Sequence, residues 1–197
     1  MSEAVSPARI GPNAVIRLVE ALDACESRSV TARIFNLAGV EDFIANPPGA
    51  MVPEKHVTEL HHQLRDIVGT ERSRSVSWIA GLRTADYLLA HRIPKPVQRL
   101  LKLLPVRIGA FILLKAIGNH AWTFAGSGTF SWKLGNPVVL TISDCPLCRG
   151  DTATAPCCHY YAATFERLFR ELVNSNAVVI ETECIASGAP ACRFEIR

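Results

Sequence analysis

The sequence lacks the motifs that mark common cofactor-dependent enzymes. No Gly-x-Gly-x-x-Gly follows a predicted strand, and "GSGTF" (126–130) follows no βα pattern, so a turn is the better interpretation and no nicotinamide or flavin site is predicted. The absence of His-Glu-x-x-His counts against a zinc hydrolase of that type. Net charge is only +3 over 197 residues, and no Lys/Arg run is interleaved with aromatic residues. Nucleic acid is therefore not an expected partner.

Long hydrophobic runs are also missing. The most apolar segment, "IGAFILLKAIG" (108–118), is interrupted by Lys115 and is shorter than the roughly 20 residues that cross a bilayer, so no transmembrane segment is predicted. It is better interpreted as a buried helix or as a surface for an apolar ligand. The first 13 residues lack a positive start followed by an apolar run, so no signal peptide is expected and a cytoplasmic location is favoured.

The order of patterns along the chain predicts an α+β domain with an antiparallel sheet. Apolar residues recur at helical spacing from Pro12 to Pro105 and onward to about residue 121. The stretch 121–145 then alternates and is rich in aromatic and β-branched residues, which is typical of two or three strands. A helix from Pro156 to about Val173 and a terminal hairpin complete the order.

Cysteine is nearly absent until the last quarter of the chain, where six of the seven are found. In the terminal hairpin, Cys184 and Cys192 are placed symmetrically about Gly188. Residues so placed face each other on one side of an antiparallel pair, with Cβ atoms roughly 5 Å apart. A reducing cytoplasm favours metal or redox chemistry over structural disulfides for clustered thiols.

A third sulfur comes from the last helix. Cys158 lies on its apolar stripe near the N-terminus, where the helix dipole favours a thiolate, whereas Cys157 is turned toward the edge. Glu181 can supply a fourth ligand only if a bulge or strand end brings it to the side of Cys184. The Cys145-x-x-Cys148 pair has the spacing of a zinc knuckle or a redox dithiol. Buried thiols that act as small hydrophobes are the alternative, and a closed structural zinc site is the favoured interpretation.

The pattern Cys158, Glu181-x-x-Cys184 and Cys192, within "ETECIASGAPACRFEIR", resembles the C-terminal signature of the 4-vinyl reductase domain family. The stretches "GLRTADYLLAHRIP" (81–94) and "HAWTFAGSGTFSW" (120–132) resemble its photosynthetic branch. The resemblance implies a helical layer on a twisted antiparallel sheet, the fold of TRAPP subunits and nitric-oxide-signalling sensors. It divides the chain into an N-terminal helical extension (1–30) and a ligand-binding domain (31–197).

The resemblance also implies a metal site, because sensor members of the family carry a structural zinc. Carried over by position, its ligands are Cys158, Glu181, Cys184 and Cys192. Cys145, Cys148 and Cys157 exceed that pattern, so a thiolate could replace Glu181.

A role in bacteriochlorophyll biosynthesis, and hence in photosynthesis, is the function that the resemblance implies. Without a visible hydride-donor site, a carrier or assembly factor is preferred. It would bind protoporphyrin or its magnesium form for magnesium chelatase or the methyltransferase that follows. The alternative is an enzyme, a 4-vinyl (8-vinyl) reductase of a divinyl (proto)chlorophyllide, acting alone or with a partner reductase. A homodimer and a peripheral contact with the photosynthetic membrane are compatible with either role.

A tetrapyrrole needs an apolar slot with basic residues for its propionates. The candidate contacts are aromatic and aliphatic residues of the helical region, one arginine, and one histidine as an axial ligand. They are Trp78, Leu82, Arg83, Tyr87, Phe111, Leu114, His120, Trp122 and Phe124. For each aromatic residue, plain core packing is the competing interpretation.

Overall fold

The structure, a computed structural model, describes residues 8–197. The helices are α1 (Asn13–Cys25), α2 (Arg28–Leu37), α3 (Asp42–Ala45), α4 (Glu54–His91), α5 (Lys95–Leu103), α6 (Val106–Asn119), α7 (Trp122–Ala125) and α8 (His159–Leu172). The strands are β1 (Arg9–Ile10), β2 (Val52–Pro53), β3 (Thr129–Lys133), β4 (Val138–Ser143), β5 (Val179–Glu183) and β6 (Cys192–Ile196), with a 3-10 turn at Ile185–Ser187. Among the described helices, none combines the length and the apolar character that a bilayer span requires.

The long helix α4 is the centre of the helical layer. Its buried stripe packs against both α1 and α8. At Gly69 the helix is interrupted by a residue with φ 78° and ψ 172°, a conformation that glycine adopts without a Cβ penalty. The sequence predicts a helix end at this glycine. The next helix instead continues directly from it.

The sheet has the strand order β3-β4-β6-β5 and is antiparallel throughout. Its inner face presents Leu140, Ile142 and Phe194, all fully buried, because alternate residues of a strand point to the same side. β5 and β6 form the predicted terminal hairpin, and Gly188 in its turn has φ 91°.

Helix α8 connects the two layers. Tyr161, Phe165 and Phe194 form one aromatic cluster between α8 and the sheet. On its other side α8 approaches α4 so closely that a Cβ at Gly81 would lie 2.3 Å from the Tyr160 carbonyl oxygen. The predicted α+β class, helices over an antiparallel sheet, is confirmed.

Two predicted elements differ in detail. The second helix is divided into α2 and α3, because the chain turns at Gly39, which has φ 69°. The first part of the predicted strand region, Trp122–Ala125, forms one helical turn, so two strands rather than three are made there. Helix α1 lies within the predicted extension and buries Val15, Leu18 and Leu22 completely.

Candidate metal centre

Two sulfurs meet across the terminal hairpin. The register pairs Glu183 with Arg193, which makes Cys184 and Cys192 the next opposing pair, and their Sγ atoms lie 3.8 Å apart. Between Glu181 and Glu183 the register shifts. This is the irregularity that Glu181 needs to share the side of Cys184.

Cys158 approaches this pair from the last helix, as its position on the apolar stripe predicts. It is the N-cap residue of α8, and its Sγ lies 3.7 Å from Cys192 Sγ and 4.0 Å from Cys184 Sγ. All three thiols are buried. They form a triangle in which no sulfur reaches solvent.

The fourth sulfur in contact with this triangle belongs to Cys148. Its Sγ lies 3.4 Å from that of Cys192 and 3.8 Å from that of Cys184. Its separation from Cys158 is within 4.8 Å. A tetrahedral Zn²⁺ with Zn–S bonds of about 2.3 Å requires sulfur–sulfur edges of about 3.8 Å. The four sulfurs therefore have the spacing of a closed tetrathiolate site.

The sequence pattern leaves Cys148 among the surplus thiols, although its spacing from Cys145 is a signal. The 145–148 segment forms a tight turn in which the N–H of Cys148 donates to the Cys145 carbonyl at 3.4 Å. This turn lies directly after β4, beside Cys192 on the neighbouring strand β6. Only the β4–β6 pairing brings the turn to the hairpin.

Cys145 offers a second arrangement around the same place. Its Sγ lies 3.7 Å from Cys158 Sγ, and it forms a compact group with Cys148, Cys158 and Cys192. The two sulfur tetrads share the triangle 148/158/192. Ions centred in both tetrahedra would be only about 1.5 Å apart for Zn–S bonds of 2.3 Å. One ion can therefore be held at a time.

Glu181, the predicted fourth ligand, also lies against the triangle. Its carboxylate groups with Cys158, Cys184 and Cys192. Oε2 accepts the N–H of Cys158 at 2.6 Å, whereas the buried Oε1 has no partner among the described residues. Burial, and next the neighbouring Cys184, raises the pKa of Glu181 to about 9. In the metal-free protein this carboxyl is accordingly neutral at pH 7.

Charge around the cluster comes from α4. The Arg65 guanidinium donates to the Leu147 carbonyl at 2.8 Å and pairs with Asp151, so it braces the loop that carries Cys148. Arg65 also interacts electrostatically with the thiols of Cys157 and Cys158. A Zn²⁺ with four thiolates carries a charge of −2, which a buried cation partly offsets.

Cys157 is the least enclosed thiol of the cluster. Its Sγ lies 3.8 Å from that of Cys184, and the residue is half-buried. Hydrogen bonding with the neighbouring thiols, first that of Cys148, lowers the pKa of Cys157. It is the thiol of this cluster that an external reagent reaches first.

The predicted tetrapyrrole contacts are not gathered into one slot. Trp78, Leu82, Arg83 and Tyr87 are half-buried on α4. Arg83 pairs with Glu20 of α1 at 3.5 Å, and the guanidinium of Arg17 lies 5.2 Å from the Tyr87 ring. Leu82 lines a surface depression of about 410 Å³ together with Asp86, Glu166, Arg167 and Arg170.

The other predicted contacts are spread over core and surface. Leu114 is fully buried, whereas Phe111 and Trp122 are 45% and 60% exposed. Phe124 packs edge-on against Phe130, Tyr161 and Phe165. His120 is exposed, with Nδ1 2.9 Å from the Ala116 carbonyl oxygen. A second depression, of about 470 Å³, contains His56 and Phe43 but none of the predicted contacts.

Together, a helical layer, an antiparallel sheet and a cysteine centre at the end of the chain define an α+β domain of the 4-vinyl reductase type. The model of the 4-vinyl reductase domain family matches residues 138–197. The "Bacteriochlorophyll synthase 23 kDa chain" of Cereibacter sphaeroides is 45% identical over 95% of this chain and 90% of its own length. The protein of the same name from Rhodobacter capsulatus is 40% identical over 94% and 85%. The chain belongs to the family of these 23 kDa chains, which confirms the resemblance found in the sequence.

Solved structures show the same fold at low identity. An Fe(II) unliganded H-NOX protein from K. algicida superposes with a TM-score of 0.59 at 10% identity, over 95% of this chain and 96% of that one. The phenol-responsive sensory domain of the transcription activator PoxR, with phenol, gives 0.50 at 17% identity over 86% and 90%. Both likenesses concern the fold alone.

Proposed function

We propose that the cysteine centre holds one structural zinc ion, through Cys148, Cys158, Cys184 and Cys192. The support is the set of sulfur–sulfur distances, 3.4–4.0 Å for five of the six edges. Four thiolates would close the coordination shell and leave no position for a reacting water. When bound, the ion would connect α8, the terminal hairpin and the 145–148 turn.

Glu181 is the competing fourth ligand, and two variants separate the alternatives. If Cys148 binds the ion, Cys148→Ser reduces zinc content far below one per chain, whereas Glu181→Gln retains it. The reverse result would assign the position to Glu181. Cys145→Ser is the matched control, since Cys145 belongs to neither of these ligand sets.

We further propose that the chain acts in bacteriochlorophyll biosynthesis by binding a tetrapyrrole intermediate, protoporphyrin or its magnesium form, as a carrier. The observation that carries this proposal is membership in the family of bacteriochlorophyll synthase 23 kDa chains. The recipient would be magnesium chelatase or the methyltransferase that follows it. A carrier for a poorly soluble macrocycle has to offer apolar contact and cationic groups for carboxylates.

The depression at Leu82 offers both kinds of contact. Leu82 supplies apolar surface, and Arg167 and Arg170 supply guanidinium groups that bind carboxylates in bidentate fashion. Arg167 now pairs with Asp86 at 2.8 Å, and Arg170 with Glu166 at 3.3 Å. A propionate would therefore have to compete with these two acidic partners.

The test is a titration of the zinc-loaded protein with protoporphyrin and with magnesium protoporphyrin, followed by the Soret band. A carrier gives a saturable shift near one ligand per chain without turnover. The double variant Arg167→Gln/Arg170→Gln should weaken binding about tenfold or more, because charge-assisted hydrogen bonds contribute about 1.5–3 kcal/mol each. Arg28→Gln/Arg33→Gln on α2 is the control of equal charge. No shift with either pigment would overturn the carrier role, and reduction of a divinyl pigment with NADPH would establish the reductase instead.

A further inference from the structure

The helix pair α5–α6 carries most of the exposed apolar side chains of the described chain. Seven of the eleven large hydrophobic residues that are exposed there lie between residues 97 and 112. They are Val97, Leu100, Leu103, Val106, Ile108, Phe111 and Ile112. Leu103, beside the connection between the helices, is 84% exposed. Contiguous apolar surface of this kind marks an interaction site.

The exposed residues follow helical periodicity, so they form stripes. On α5, Val97, Leu100 and Leu103 recur every three residues, while Gln98 and Leu101 face the protein. On α6, Ile108, Phe111 and Ile112 occupy the face opposite to Ala110 and Leu113. Helix α6 is thus apolar on two faces, of which the fold buries only one.

Charge of one sign surrounds these stripes. The sequence has no Asp or Glu from residue 87 to residue 143, but it has seven Lys and Arg there. The rest of the chain has 14 basic and 18 acidic residues, so the positive charge of the protein is concentrated in this region. Arg99, Arg107 and Lys115 are exposed and form no salt bridge with a described residue. Lys102 pairs with Glu171.

We propose that the α5–α6 face is a docking surface for an anionic lipid bilayer. Helices with Leu, Phe and Ile on one side and Lys and Arg beside them lie in the membrane interface, with the apolar side chains among the upper acyl carbons. Arg99, Arg107 and Lys115 would extend their charged ends to the lipid phosphates. This surface does not depend on the proposed tetrapyrrole or zinc binding.

Charge selects the bilayer over a second copy of this chain. A symmetric dimer through this face would bring the same cations of both subunits together, and like charges across an interface are repulsive. A nucleic acid would offer phosphates to the cations but no apolar layer for Leu100, Leu103 and Phe111. An anionic bilayer offers both.

The test is flotation of the full chain with vesicles of phosphatidylcholine containing phosphatidylglycerol, compared with vesicles of phosphatidylcholine alone. Binding is expected to the anionic vesicles and to weaken between about 0.1 and 0.5 M salt, on the order expected from screening. Arg99→Gln/Lys115→Gln should weaken binding about 25-fold, at about fivefold for each charge near the surface. Arg28→Gln/Arg33→Gln removes the same charge from α2 and should change it little.

The apolar contribution is tested separately with Leu103→Gln/Phe111→Gln. The control is Leu37→Gln/Val178→Gln, which changes two exposed hydrophobic residues elsewhere. The first pair should abolish flotation, and the second should not. Equal effects of both pairs, or no binding to anionic vesicles, would overturn the proposal. A dimer in solution that becomes monomeric with Leu103→Gln/Phe111→Gln would assign the face to self-association instead.

Discussion

The cysteine centre and the predicted tetrapyrrole slot differ in how their residues reach one another. The sulfurs of Cys158, Cys184 and Cys192 are brought together by hairpin symmetry and by a helix start, two local geometries. The slot residues lie on α4, α6 and α7, and each one's surroundings depend on how those helices pack. Local geometry therefore placed the thiols correctly, whereas membership in one apolar surface did not follow from residue type.

The largest expected effect concerns the metal. Cys192→Ser should lose the zinc and lower the stability of the fold by several kcal/mol, because the energy of a structural zinc is folding energy. Metal analysis and thermal unfolding of the same sample measure both. Cys25→Ser, at an exposed thiol far from the cluster in sequence, should change neither. Equal stability of Cys192→Ser and the parent protein would remove the structural role of the site.

A second pair of variants separates core from surface within the predicted slot. Leu114→Ala should cost about 2–5 kcal/mol of unfolding free energy, since the side chain is fully buried. Phe111→Ser, at a residue 45% exposed, should cost far less. Denaturant unfolding measures the two values. Similar losses would mean that Phe111 is covered in solution.

Acid should destabilise the protein through His61, which is buried and has no partner for Nε2 among the described residues. Burial, and next the charges of Arg65 and His62, lower the pKa of His61 to about 3. The unfolded chain takes up this proton below about 6.5. The folded protein takes it up only near 3, so stability falls as pH drops through that window. The loss at pH 5 is about 2 kcal/mol.

His61→Leu should flatten this part of the pH profile, measured as denaturant midpoints between pH 7 and pH 5. The variant replaces the imidazole with an apolar side chain that needs no hydrogen bond. An unchanged slope in His61→Leu would show that another group causes the acid sensitivity.

The smallest effect expected is at the contact between α4 and α8. The hydroxyls of Thr84 and Tyr160 are buried and 2.8 Å apart, so Tyr160→Phe should cost about 1 kcal/mol. Tyr87→Phe, half-buried on α4, is the matched control and should cost less. A larger loss for Tyr87→Phe would reverse the order in which these positions support the helical layer.

The fold class, the hairpin that opposes Cys184 to Cys192 and the inward position of Cys158 all follow from the amino-acid pattern, because helical and strand periodicities fix side-chain direction locally. Glu181 is predicted at the site on condition of a bulge, and the register shift supplies it. The contact of Cys148 with the triangle depends instead on packing, since its turn follows β4 and reaches Cys192 through strand pairing distant in sequence. Packing also determines that α6 buries one apolar face and leaves the other exposed. Periodicity shows that both faces are apolar, but which one a neighbouring element covers is a property of the assembled layers.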